Sequence, residues 1–152
     1  MLPLLFFITV FTHTPTLSWS DFKGKPDPNS KYGAVTSTYW SKLDTIIEGK
    51  YYYILTSGIN QEKSWVRSPS EPLLRHEQLH VLISEYMFDQ FKNRIKPYQG
   101  GTEKENKKVE KLWIIYNNRL DKLDDLYDRE TKHGQVASIQ RQWEINIRNA
   151  LK

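Results

Sequence analysis

The segment "SPSEPLLRHEQLHVLISEY", residues 68–86, sets His76 and His80 four positions apart around Glu77 inside an apolar run. Its opening carries helix-start signals: Ser68, with Pro69 at the first helical position and Glu71 three residues after the serine, reads as a capping box. The spacing predicts a helix to about Lys96, where Pro97 and the Gly100-Gly101 pair stop it. On such a helix, residues four apart lie about 40° apart round the axis, so both imidazoles can address one ion. Glu77 is offset to the side, able to reach a water without being a ligand. This is the HExxH arrangement, in which zinc lowers the pKa of a water and the glutamate takes its proton as the water attacks a polarised carbonyl. The alternative is two ordinary helix histidines bonded to backbone or water.

Downstream, Thr102 and Glu105 form a second capping box, and Val109, Leu112, Tyr116, Leu120, Leu123 and Tyr127 step by threes and fours along the helix it opens. Gly134 marks a break before a third helix carrying Val136, Ile139, Trp143, Ile147 and Leu151 at the same spacing. Upstream, "WSDFKGKPDPNSKYG" is loop-like in its Pro, Gly and Asp content. "AVTSTYW" from Ala34 and "KYYYILTSGI" from Lys50 read as strands around a turn at residues 48–50, and "NQEKSWV" extends them or adds a third strand ending at Val66. Strands before helices indicate an α+β arrangement, with a small N-terminal β-sheet, the HExxH helix and two further helices.

A catalytic zinc normally takes three protein ligands and leaves a fourth position for water. Glu85 lies half a turn round the helix from the histidines and reads as a surface or supporting carboxylate. The remaining candidates cluster in "LYDRETKHGQ": Asp128, Glu130 and His133. A continuous helix separates Asp128 from His133 by about 140°, so both could ligate only if the helix breaks there. His133, just before Gly134, is the preferred third ligand. Asp128 is the alternative, with a second possible role in orienting an imidazole from behind the ligands. Tyr127 is the candidate donor for oxyanion stabilisation.

The 152 residues, with 38% hydrophobic and 26% charged positions, suit a single domain with a sizeable core. The formal net charge is +4, but the signs alternate in runs such as "TEKENKKVEKL", the pattern of a solvated helix face, so nucleic acid is not an expected partner. The absence of cysteine excludes disulfides, thiolate ligands and a Cys nucleophile. "MLPLLFFITVFTHTPTLS", residues 1–18, reads as a secretory signal peptide, although its start lacks Lys and Arg. Cleavage is expected before Trp19, leaving residues 19–152 as one exported domain without a membrane span. His13 falls in that signal.

Four motifs in order, "WSDFKGKP", "KSWV", "LLRHEQLH" and "YDRETKHG", resemble bacterial secreted proteins of the domain-of-unknown-function 922 family, predicted to be zinc-dependent proteases. The resemblance spans essentially the whole exported part. It implies a zincin-like fold, His76 and His80 as zinc ligands, Glu77 as catalytic acid/base and His133 of "TKHG" as a functional position. Such proteins commonly read HEQGH, whereas Leu79 stands here in place of the glycine. The sequence therefore points to a secreted zinc-dependent metallopeptidase acting on a peptide or protein. A non-catalytic exported module, using the same zinc site for structure or partner binding, is the competing reading.

Overall fold

The computed structural model describes residues 16–152. The apolar stretch of the expected signal peptide lies outside the described residues. The chain is α+β, with four strands, β1 (Ala34–Val35), β2 (Thr38–Ile47), β3 (Lys50–Ile59) and β4 (Trp65–Val66), followed by three helices, α1 (Glu71–Ile95), α2 (Glu103–Thr131) and α3 (Ala137–Ala150).

Helix α1 starts two residues later than its sequence suggests. Ser70, not Ser68, is the N-cap, its hydroxyl accepting from the Leu73 amide, with Pro72 in the first turn. The amides of Arg67 and Ser68 both donate to the Gly33 carbonyl, which holds that segment extended beside β1 and delays the helix. Its end is as expected, at Ile95 before a single 3-10 turn containing Pro97. Leu79, Val81, Leu82, Ile83, Met87, Phe88 and Phe91 are all buried on α1, which is therefore apolar round most of its circumference and forms the centre of the molecule.

Three partners cover it. Leu79, Leu82, Ile83 and Met87 pack with Leu120 and Tyr127 of α2 and Ile147 of α3. Tyr53 of β3 joins Phe91, Ile95 and Val109 in a second cluster, flanked by Trp113 and Tyr116. Val81 packs with Ala34, Phe22 and Leu17 in a third. Leu17 is 4% exposed, and its amide donates to Gln78 Oε1 at 2.5 Å. A chain beginning at Trp19 would lack this buried side chain.

The single small sheet expected from the sequence is two separate two-stranded antiparallel sheets, β1 with β4 and β2 with β3. The β2–β3 hairpin turns at Glu48 and Gly49, both with positive φ, the backbone that a two-residue hairpin turn requires. It is fastened to α1 by the Trp40 indole donating to Ser84 Oγ at 2.9 Å and by the Ser57 hydroxyl donating to Glu85 at 2.9 Å. The strand is interrupted at residues 36 and 37, where the Ser37 amide donates to Ser64 Oγ; the Thr36 side chain there donates its hydroxyl to Glu77. The segment ending at Val66 pairs with β1, and not with the neighbouring hairpin.

Helix α2 opens with the expected reciprocal capping box of Thr102 and Glu105. It closes at Lys132, His133 and Gly134, three consecutive residues with positive φ, and these carry the chain back against α1. Among the described residues, no helix is long and apolar enough to cross a membrane.

Candidate metal centre

The antiparallel packing of α2 on α1 brings the last two turns of α2 against the HExxH turn of α1. His76 and His80 then face Asp124 and Asp128, also four apart on their helix. One oxygen of Asp128, Oδ1, lies 3.0 Å from His76 Nε2 and 3.1 Å from His80 Nε2. Ligand atoms of His76, His80 and Asp128 all fall within 4.8 Å of one another, the one such group of His, Asp or Glu side chains among the described residues.

His80 is held on both nitrogens, with Asp124 Oδ1 2.9 Å from Nδ1 and Asp128 beyond Nε2. Both partners are acceptors, so the ring must donate twice. Burial opposes its protonation, but the hydrogen bonds and charges of the two aspartates outweigh burial and push its pKa up to about 10. Burial acts on Asp128 in the sense that raises a carboxyl pKa, yet contacts with His76 and His80 hold it well below the usual carboxylate range. Without a metal, the site is thus a hydrogen-bonded histidine–aspartate knot, with the doubly donating His80 ring held between two carboxylates.

Glu77 is 4% exposed and accepts a 2.7 Å hydrogen bond from the Thr36 hydroxyl. Together with His76, His80, Asp124, Asp128 and His133 it lines a cavity of about 560 Å³, to which residues 31–36 also contribute. The expected metal and base positions therefore line one cavity.

His133 occupies a different place from His76 and His80. Its Nδ1 is 3.3 Å from Asp128 Oδ2, its ring leans on Tyr32 at 4.8 Å between centroids, and its side chain is 39% exposed. The left-handed turn directs it to the cavity rim, outside the group whose ligand atoms converge. Of the two third ligands considered, Asp128 is the one brought to the paired imidazoles. Glu130 instead accepts from the Trp143 indole at 2.8 Å, and Glu85 sits with Ser57, its pKa raised by burial.

Tyr127 does not fit the role of oxyanion donor. It is fully buried, stacks on His76 at 4.8 Å and directs its hydroxyl to the His76 carbonyl at 3.3 Å. Burial and nearby carboxylates raise its pKa, keeping the phenol a donor. Its contribution is to fix the His76 ring and backbone from behind.

Two participants escaped the sequence reading. Asp124 had a signal, its four-residue spacing from Asp128 mirroring that of the histidines. Thr36 had none, because only tertiary packing brings residue 36 to residue 77.

The donor set fits a divalent transition metal. Two imidazole nitrogens and one carboxylate oxygen form a common catalytic zinc set. In a tetrahedral site with ligand bonds of about 2.0–2.1 Å, ligands stand roughly 3.3 Å apart; the two Asp128 contacts, 3.0 and 3.1 Å, are close to that spacing, and all three ligand atoms lie within 4.8 Å of one another. Comparison with protein-family models, curated proteins and solved structures finds no match to this chain.

Proposed function

We propose that the chain is a zinc-dependent hydrolase of the zincin type, cleaving peptide bonds, with His76, His80 and Asp128 as metal ligands and Glu77 as general base. The observation that carries this reading is the convergence of those three side chains beside Glu77 in one cavity. Bound zinc would supply an acidified water and polarise the substrate carbonyl. Glu77 takes the proton and returns it to the leaving amine, while the Thr36 hydroxyl sets its carboxylate orientation. Asp124 fixes the His80 ring through Nδ1. His133, on the rim and anchored by Asp128, is suited to meet the substrate in place of ligating the ion.

The order of motifs resembling the domain-of-unknown-function 922 family supports the same reading, including a zincin-like fold, export and a peptide or protein substrate. A second reading, an exported module with a non-catalytic metal site, is favoured by the hydrogen bonding of the knot itself, which is extensive before any ion enters.

Metal content of the purified protein, beside His76→Ala, Asp128→Ala and His133→Ala, tests the ligand set. One zinc per chain, lost with the first two variants and retained with the third, is the expected result. Loss with His133→Ala and retention with Asp128→Ala would restore the three-histidine set. Peptidase activity against a mixed peptide library, lost in Glu77→Gln with zinc retained, then separates an enzyme from a metal-binding module.

A further inference from the structure

Behind the metal centre, two buried polar atoms lack hydrogen-bond partners: His76 Nδ1 and Gln140 Oε1. His76 is 3% exposed and Gln140 8%. They come from different helices, α1 and α3, yet converge at one place. A β-carbon built on Gly134 would lie 3.0 Å from His76 Cγ and 3.1 Å from Gln140 Oε1. The two side chains thus flank the bare face of the same glycine, with no hydrogen bond between them.

The tautomer of His76 bears on whether these two atoms can bond. A neutral His76 that donates Nε2–H to Asp128 carries only a lone pair at Nδ1, and the Gln140 amide oxygen is also an acceptor. Two acceptors cannot bond. When Nε2 gives its lone pair to a metal, the ring proton must sit on Nδ1, and a metal-bound imidazole characteristically donates that proton to a fixed acceptor. Gln140 Oε1 is a buried acceptor without a partner, against the same glycine as the His76 ring.

Resting on the metal-centre reading above, we propose that Gln140 is a positioning residue for His76, its amide oxygen accepting Nδ1–H when the ring binds a metal through Nε2. Helix α3 thereby has a part in the site: it supplies the outer partner of one imidazole as Asp124 of α2 does for the other. Gly134 is what lets the two approach.

The test uses zinc alone as ligand on the full protein. Zinc affinity is measured by chelator competition for wild type, Gln140→Met, which keeps the volume and removes the acceptor, and Gln140→Glu, which keeps an acceptor. Gln140→Met is expected to weaken zinc by about 10–100-fold and Gln140→Glu to restore or exceed wild-type affinity. A role in packing alone would not separate those variants in this way. Long-range 15N–1H spectra of zinc-loaded wild-type protein should show His76 protonated at Nδ1, with a slowly exchanging proton. Unchanged affinity in Gln140→Met, or a rapidly exchanging Nδ1 proton in the zinc-loaded protein, overturns the proposal. If Gln140→Met fails to fold, the wild-type spectrum decides. A wild-type protein that binds no zinc at all rejects the underlying metal centre, an outcome distinct from zinc binding without help from Gln140.

Discussion

Asp124 reaches His80 through a 2.9 Å contact with Nδ1, on the side of the ring opposite Asp128. A carboxylate in this position selects the tautomer that leaves Nε2 for an ion and makes that nitrogen more basic. Asp124→Asn should therefore retain the fold and weaken zinc about 10–100-fold. Chelator competition measures this, and an unchanged affinity would remove Asp124 from the site.

Stability of the metal-free protein should fall as pH rises. The folded pKa of His80, about 10, lies above the ordinary histidine value near 6.5. The stabilising contribution of its protonated form is complete below about pH 6.5 and is lost as pH climbs through 10. Urea melts at pH 6, 8 and 9.5, with chelator present, should show this decline and its flattening in His80→Gln. Zinc has the opposite dependence, because it displaces a proton from the same ring, so its affinity should rise across that interval. Metal-free stability that increases with pH would show His80 to be neutral in the fold.

Gly134→Ala meets two obstacles. The φ of 81° places the residue in the left-handed region, and the new methyl would press on the His76 Cβ at 3.0 Å. The backbone contribution alone is about 1–2 kcal/mol. Thermal melts should show that loss, and zinc affinity should fall with it if the displaced His76 is a ligand as proposed. A variant with wild-type zinc affinity would mean that the His76 ring has room to retreat.

Removal of residues 1–18 should destabilise the domain relative to removal of residues 1–15. Leu17 is buried against Phe22, Ala34 and Val81, and full burial of a leucine contributes about 1.5–3 kcal/mol. Chemical denaturation of the two truncated chains compares them directly. Equal stability would show that the Leu17 contact contributes nothing and would leave cleavage before Trp19 without a structural objection.

Thr36→Val tests the hydroxyl on Glu77. Zinc content should stay at wild-type level while peptide hydrolysis falls, since the Glu77 carboxylate loses the hydrogen bond that orients it. Unchanged hydrolysis would mean that Thr36 only ties residue 36 to α1.

The sequence by itself determined the elements whose causes are local. The Thr102–Glu105 box, the stop at Pro97, the reversal at Gly134 and the turn at Glu48-Gly49 each depend on residues within a few positions of one another. His76, Glu77 and His80 were legible for the same reason: helical periodicity alone aligns the two imidazoles. Even so, local signals placed the start of α1 at Ser68, whereas the Gly33 carbonyl, far along the chain, holds residues 67 and 68 extended and the helix is capped by Ser70. Tertiary structure likewise decided everything that depended on which helix face meets which. The packing of α2 on α1 brought Asp128 to the two imidazoles and Asp124 behind one of them, while the left-handed turn left His133 at the rim. It also broke the expected single sheet in two, where the Ser37 amide bonds to Ser64 Oγ between β1 and β2. Spacing along a chain fixes angles within one helix; distances between helices come from the packing of their apolar faces.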